Sequence, residues 1–503
     1  MLTPHCMRNI ADRAFEPRDA ASLVFFRVTF GLILLWEATR FFVNGLIDSV
    51  YLEPRFHFTY LGFGWVRPLP EEWLTLHFVL LGVAALLLTL GMLTRFAAAW
   101  LCIGWTYVLL LEKAAYLNHL YLVCLLAGLL IFVPTHRTFS LDARHRPLWR
   151  SNSVPAIALW VLRTQIAIPY IFGAIAKLNG DWLHGLPLRM WMPRMTHVRE
   201  FLPFFGEPWL AMLFSYSGFL LDLLAVPLLL WRRTRPWAFG AIVLFHLCNA
   251  LLFRIGIFPW FMICATTLFF DPDWPRRILG TVSQISRSQI SRRALAPVVL
   301  PGTGASALRL NRESSGGLRP PARQDMRDRR LILASVAAWF LIQFTVPFRH
   351  LLYPGDVDWT EEGQRFSWRM MLCDKTPAMR LFAIDKTTRR VMEIDPQRLL
   401  TKWQLDYVGY DPDLLVQFSQ HLAAEFRRTK TLDVEIHAQL FCSLNGRRPQ
   451  LLVDPHVDLA SQTRSLAPQP WIVPLTEPLP DKLWDKPPNT WTEFLAPPDF
   501  SQQ

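Results

Sequence analysis

The chain has 503 residues, of which 52% are hydrophobic and only 18% charged, with a formal net charge of +12. Several apolar runs near 20 residues long exclude an ordinary soluble globular protein and indicate a polytopic membrane protein. The positive charge sits in short loops between those runs and in one Arg-rich segment, 276–330, an arrangement that fits membrane topology and argues against nucleic-acid binding.

Nine spans are predicted, near 20–43, 74–93, 96–112, 116–134, 155–176, 208–231, 237–253, 256–270 and 331–347. The first is too long and too poorly terminated for a cleaved signal peptide. Arg8, Arg13 and Arg18 precede it, and Arg95 separates spans two and three. Arg137, Arg144, Arg146 and Arg150 follow span four, and Arg232, Arg233 and Arg235 follow span six. If the count holds, all of these share one side, the cytoplasm, and residues 348–503 lie on the other. The absence of an Asn-x-Ser/Thr sequon favours a bacterial inner membrane with a periplasmic carboxy-terminal domain.

The domain plan is therefore a multi-span unit over 1–275, an Arg-rich cytoplasmic linker over 276–330 and a last span over 331–347. An exported α+β domain with a Pro-rich tail follows over 348–503. The linker composition, rich in Ser, Gly, Arg and Pro, predicts disorder. Arg380–Ile394 alternates around Asp385–Thr388 and predicts a hairpin, and Pro412–Lys430 has helical spacing. Val434, Ile436, Ala438, Leu440 and Cys442 alternate strictly before an Asn445-Gly446 turn into 450–453. The tail after Pro468 is expected to wrap the surface. The seven Cys show no CxxC pair and no zinc spacing. Cys102, Cys124, Cys248 and Cys264 read as small hydrophobes, while Cys373 and Cys442 could form one disulfide if their region is exported.

Of 52 Lys and Arg only eight are Lys, and residues 1–347 hold two, Lys113 and Lys177. Lys177 ends the apolar run 166–176 and opens Lys177-Leu-Asn-Gly-Asp-Trp182. Arginine keeps its proton in proteins, whereas a desolvated lysine can lose it, so Lys177 is a candidate base. A lysine snorkelling from a helix end is the plain alternative. Further polar groups fall on the same non-cytoplasmic face: His57 and Tyr60, Asn118 and His119, Asn179, Asp181 and Trp182, His246, Asn249 and Arg254, and Trp359 and Trp368. Each has a structural reading too. His119 could cap span four, His246 could bond a neighbouring helix, and the aromatic loop 56–65 could be an interfacial belt. Asp222, deep in span six, calls for a partner, with Arg163 or Arg27 the expected ones. Neither a phosphate loop, an HExxH pattern nor a nucleophile elbow occurs, and the His are scattered, so no metal site is expected.

Six blocks occur in order from about residue 18 to about 480: Tyr51-Leu-Glu…Phe56-His-Phe-Thr-Tyr-Leu-Gly-Phe63, Leu111-Glu-Lys…Asn118-His119…Tyr121-Leu122, Ala176-Lys-Leu-Asn-Gly-Asp-Trp182, Phe245-His246…Asn249…Phe253-Arg-Ile-Gly256, Trp359-Thr360…Ser367-Trp368 and Asp454-Pro455…Val457-Asp458. Together they resemble the vitamin K-dependent gamma-glutamyl carboxylase family, in its bacterial form with a horizontally transferred transmembrane (HTTM) domain. The resemblance implies an integral membrane enzyme with a lumen-facing carboxy-terminal domain. It implies oxidation of vitamin K hydroquinone (menaquinol or phylloquinol) by O2 to the epoxide. That step yields a base that removes a γ-proton from peptide glutamate, and CO2 is captured. By motif match Lys177 falls on the lysine that deprotonates the hydroquinone and His119 on a histidine of the carboxylation half. Asn118, Asn179 and Asp181 are expected to orient the amine or the quinone oxygens. Implied partners are the lipid bilayer, a lipid-soluble quinone and a glutamate-containing exported peptide or protein. A quinone epoxidase without protein carboxylation, and a non-catalytic quinone-binding or scaffold protein, are the alternatives. Departures from the animal pattern are Phe366 in place of a Tyr, no Cys within 400–440 and a short carboxy-terminal extension.

Overall fold

The structure is a computed structural model that describes residues 10–253, 255–280 and 323–491. Seven helices among the described residues are long and apolar enough to cross a membrane. They are α1 (Ala21–Val43), α2 (Glu71–Leu90), α3 (Thr94–Leu111), α5 (Ala156–Lys177), α6 (Pro208–Leu230), α7 (Arg235–Leu252) and α9, the Arg323–Thr345 helix whose apolar span is extended by a 3-10 turn to Leu352. Two of the nine expected spans are shorter: α4 (Asn118–Phe132) has 15 residues and α8 is Phe258–Thr266. At 1.5 Å per residue α4 is about 22 Å long, less than a hydrocarbon core. It starts late because Lys113–Ala115 is a 3-10 turn and Leu117 is extended. Much of the expected linker lies outside the described residues, and α9 begins within its expected end.

Local chemistry explains the helix ends. Gly91, at φ +68°, closes α2 in the left-handed conformation that glycine adopts without strain. The strands β1 (Pro17–Asp19) and β2 (Ser153–Pro155) pair antiparallel and tie the start of α1 to the start of α5. Arg27 and Arg163, the expected partners of Asp222, instead donate to carbonyls: Arg27 to Thr135 and Phe139, Arg163 to Leu268 and Phe270. They satisfy the orphan carbonyls that follow α4 and α8.

The carboxy-terminal region is a four-stranded antiparallel sheet in the order β4 (Val391–Ile394), β3 (Lys375–Asp385), β5 (Val434–Leu444), β6 (Gln450–Leu451). The expected hairpin is β3–β4, where Asp385 Oδ1 accepts from Thr387 and Thr388 N–H. Two helices follow it, α10 (Lys402–Val408) and α11 (Pro412–Lys430), the latter packed on β5. Asn445 (φ +51°) and Gly446 (φ +74°) make the expected turn. The tail reaches inward as well as along the surface: Ile472 bridges Val453, and Trp471 and Trp491 are buried. Cys373 and Cys442 are separate thiols, and burial pushes the Cys442 thiol up to about 12.

Loop 44–73 docks the two regions. Phe58 is buried within the carboxy-terminal core, Phe56 stacks on His421 at 4.5 Å between centroids, and Thr59 N–H donates to Gln417. These two rings are thus a wedge and not an interfacial belt, whereas Phe63 and Trp65 are exposed. Beside them Asp413 accepts from Lys113 and, at 2.7 Å, from Arg464 Nε. Burial alone would raise the Asp413 carboxyl, but Lys113 and Arg464 outweigh it and hold the group below the usual carboxylate range. A depressed folded-state value stabilises above the unfolded value of about 4, and the contribution is lost as pH falls through the folded one. The unfolding midpoint should therefore be flat from about pH 7 to 5 and fall below about pH 4. Asp413→Asn should lower the neutral-pH midpoint and remove that part of the acid limb; an unchanged acid limb would exclude the clamp as its source.

Candidate functional site

A cavity of about 860 Å³ opens among the membrane helices beneath the carboxy-terminal region. The carboxy-terminal half of α5, the middle of α6, α7, and the starts of α4 and α8 wall it. Arg369, Met370 and Met371 and the start of α10 roof it. Its surface is mostly apolar and aromatic, with a few polar groups converging from different helices, the usual make-up of a small-molecule site.

Lys177 is the last residue of α5 and is 7% exposed. Its Nζ donates to Asp222 Oδ2 at 2.6 Å and lies 5.1 Å from the Trp182 ring centroid. The carboxylate comes from the interior of α6, so the buried ammonium and carboxylate compensate each other. Gly173, one turn before Lys177, makes room for the pair: a Cβ there would stand 2.8 Å from Asp222 Oδ2 and 3.7 Å from Lys177 Nζ. Pro169, one turn earlier, lines the cavity and removes one helix donor.

Two histidines face the same space. His246 Nε2 lies 3.2 Å from the Tyr170 hydroxyl, while its Nδ1 is buried with no partner among the described residues. His119, the second residue of α4, has a buried Nε2 likewise without partner, and its ring is 6.1 Å from Phe258. Asn118 accepts from the Tyr116 hydroxyl at 2.9 Å, and Asn249 and Trp182 complete the expected residues that reach the cavity. Trp182 is fixed by donating from Nε1 to the Ser215 carbonyl at 2.9 Å.

Other expected site residues lie elsewhere. Asn179 caps the turn Gly180–Leu183, accepting from Trp182 N–H at 2.8 Å and donating to the Ala176 carbonyl at 2.8 Å. Asp181 accepts two hydrogen bonds from Arg447, at 2.6 and 2.7 Å, and one from Asn445 at 2.7 Å, joining the membrane helices to the sheet. His57 Nδ1 is 3.3 Å from Glu112, in the docking loop. Trp359 is core to the carboxy-terminal region and donates to the Val473 carbonyl at 2.7 Å. Trp368 stacks on Tyr121 at 5.1 Å. Arg254 lies outside the described residues. Sequence reasoning missed Asp222 as the partner of Lys177, Gly173, Tyr170 and the roof residues.

Tyr60 belongs to a second chamber, of about 290 Å³, that shares no lining residue with the first. Phe366 lies between the two. Its ring is 5.9 Å from Tyr60, 5.1 Å from Tyr116 and 4.9 Å from Tyr121, and its N–H donates to the Tyr116 hydroxyl at 2.9 Å. Its backbone is left-handed (φ +64°), as is that of Trp368 (φ +60°) and Met371 (φ +55°), a strained conformation for bulky residues that surrounding contacts must hold. In this chamber Arg365, Lys113 and Arg464 are paired with Asp411 or Asp413. Arg349 has no carboxylate partner among the described residues and lies over the Phe366 ring at 5.6 Å.

Residues 15–274, a little over half the chain, match the HTTM domain family, and residues 328–478 match the vitamin K-dependent gamma-carboxylase lumenal domain. No solved structure matches the chain.

Proposed function

Because the chain belongs to the vitamin K-dependent gamma-carboxylase family, we propose that it oxidises a vitamin K-type hydroquinone in the membrane cavity and uses the outcome to carboxylate peptide glutamate. The observation that carries this reading is the Lys177–Asp222 pair in the wall of an apolar cavity with two imidazole nitrogens that lack a partner among the described residues. The cavity suits a flat bicyclic quinol: aromatic side chains offer faces, and Lys177, His119 and His246 offer polar atoms for its two oxygens. A bound quinol would be the reductant and O2 the oxidant, and the free energy of that oxidation would supply a base strong enough for a γ-carbon proton.

The pair carries one acidic proton as an ammonium and a carboxylate. Transfer of that proton from Nζ to Oδ2, across 2.6 Å, leaves a neutral amine and a neutral acid. Nζ then accepts a hydroxyl proton. The net result is one proton moved from the substrate oxygen to Asp222, with the ammonium now facing the cavity. Lys177 thus works with Asp222 as a coupled base and not as an isolated amine. Met370 and Met371 give the roof its apolar part, beside Arg369, and help exclude water. Glutamate reaches the second chamber from the carboxy-terminal side, where Arg349, its Nε donating to the Gly363 carbonyl at 3.3 Å, has terminal guanidinium nitrogens without a carboxylate partner among the described residues.

In this reading the short helices α4 and α8 complete a nine-span bundle in a bacterial inner membrane. The amino terminus is cytoplasmic and 348–503 is periplasmic, in keeping with the arginines of one side. A narrower reading, quinol epoxidation alone, is favoured by one observation: Phe366 brings no hydroxyl to the partition between the chambers.

Purified protein in nanodiscs, given reduced menaquinone or phylloquinone, O2, labelled bicarbonate and a Glu-containing peptide, should form epoxide and labelled peptide. Epoxide without label leaves the narrower reading; no quinol consumption sinks both. Gly173→Ala should displace the Asp222 carboxylate and lower kcat about 10- to 100-fold with little change in KM. An unaltered kcat would show that the position of Asp222 is immaterial.

A further inference from the structure

We propose that a second pocket, at the opposite end of the membrane bundle, binds the phosphodiester headgroup of an anionic phospholipid. The pocket, about 780 Å³, lies between the α2–α3 turn and the segment joining α4 to α5. Arg95, Arg137, Arg146 and Arg150 line it, together with His136 and Trp149. None of the four arginines has an ion-pair partner among the described residues. The one carboxylate in the lining, Asp142, is already spent on Leu93 N–H at 2.9 Å and on Thr94 N–H at 3.0 Å and Oγ1 at 2.8 Å. His136 is 7% exposed, and its buried Nδ1 has no hydrogen-bond partner among the described residues.

The rule that arginines gather on the cytoplasmic side explains their presence but not their isolation. Arg232 and Arg235, which follow α6, pair with Asp271; Arg276 pairs with Asp19 and Arg277 with Asp273. Counter-charge from the undescribed stretch is scarce too, because Glu313 is the one acidic residue in 281–322. Burial first, and then the neighbouring Arg95 against the opposing pull of Asp142, holds the His136 imidazole below its ordinary range.

Guanidinium forks match phosphate oxygens in pairs, and basic pockets beside membrane helices are suited to acidic headgroups. The rim supplies the apolar half of the ligand's surroundings. Leu148 is 99% exposed, and Leu93, Phe96 and Trp149 are exposed beside it. Trp149 is held under Arg146, 4.4 Å from its ring centroid, as an interfacial aromatic partner. An acidic phospholipid satisfies both halves at once, with its phosphate among the arginines and the start of its chains against the rim.

The test uses the full-length protein in detergent, with native mass spectrometry and thermal unfolding on added phosphatidylglycerol, phosphatidylcholine or inorganic phosphate. Phosphatidylglycerol should give a saturable one-to-one adduct and raise the unfolding midpoint, and phosphatidylcholine should do neither. The exposed set Arg95→Gln/Arg146→Gln/Arg150→Gln should weaken the adduct about a hundredfold or more. Arg232→Gln/Arg233→Gln, on the same side, should leave it unchanged. Equal loss in that control would overturn the proposal in favour of diffuse surface charge. Equal protection by inorganic phosphate would overturn it in favour of a free oxyanion site.

Discussion

If the proposed reaction holds, Lys177→Met should abolish quinol oxidation, by about 10³-fold or more in kcat, and should also destabilise the bundle, because it leaves the Asp222 carboxylate buried without its cation. The second effect is worth about 3–5 kcal/mol and would by itself obscure the first. Two further variants separate them. Lys177→Met/Asp222→Leu removes both charges, so it recovers most of the stability and none of the turnover. Lys177→Arg keeps a cation beside Asp222 but cannot give up its proton, so it folds and remains inactive. Epoxide formation and the unfolding midpoint are the two measurements. Turnover near the parental rate in Lys177→Arg would end the proton-transfer role while leaving the ion pair intact.

Arg447→Met should loosen the two regions of the molecule from each other. The guanidinium makes two short hydrogen bonds to Asp181 and is itself buried, so its loss strands a carboxylate that Asn445 alone cannot satisfy. The expected cost is about 3–5 kcal/mol, with early exposure of the sheet to protease while the membrane helices stay folded. Asp181→Leu/Arg447→Met, without either charge, should recover docking. Docking matters for the cavity, because its roof, Arg369 to Met371, comes from beyond the last long helix. Arg447→Met should therefore raise KM for the quinol as well. A variant with normal protease resistance and normal KM would show that the clamp is ornamental.

Much of this was legible in the sequence, for physical reasons that can be named. Periodicity gave the long spans, the β3–β4 hairpin, α11 and the turn at Asn445-Gly446, since each rests on local chemistry. The scarcity of Lys singled out Lys177. Its partner was not legible, because α6 is apolar around its whole circumference and offers no stripe to tell which way Asp222 points or at what depth. Asn179, expected to orient the amine or the quinone oxygens, caps the turn that follows it, as the Asn-Gly-Asp-Trp pattern allows. The partner of Asp181 was not legible, because it lies 266 residues away and nothing local announces it. His57 and Tyr60 were grouped with Lys177 by side of the membrane alone, yet a wall of aromatic rings separates Tyr60 from it.

Because the two chambers share no lining residue, their occupants cannot compete for one berth. Under the proposed reaction neither must depart before the other arrives, so steady-state kinetics should run through a ternary complex with converging reciprocal lines, and excess of one reactant should not inhibit against the other. Under the same reaction, separate chambers would let the peptide preference change while leaving quinol handling untouched.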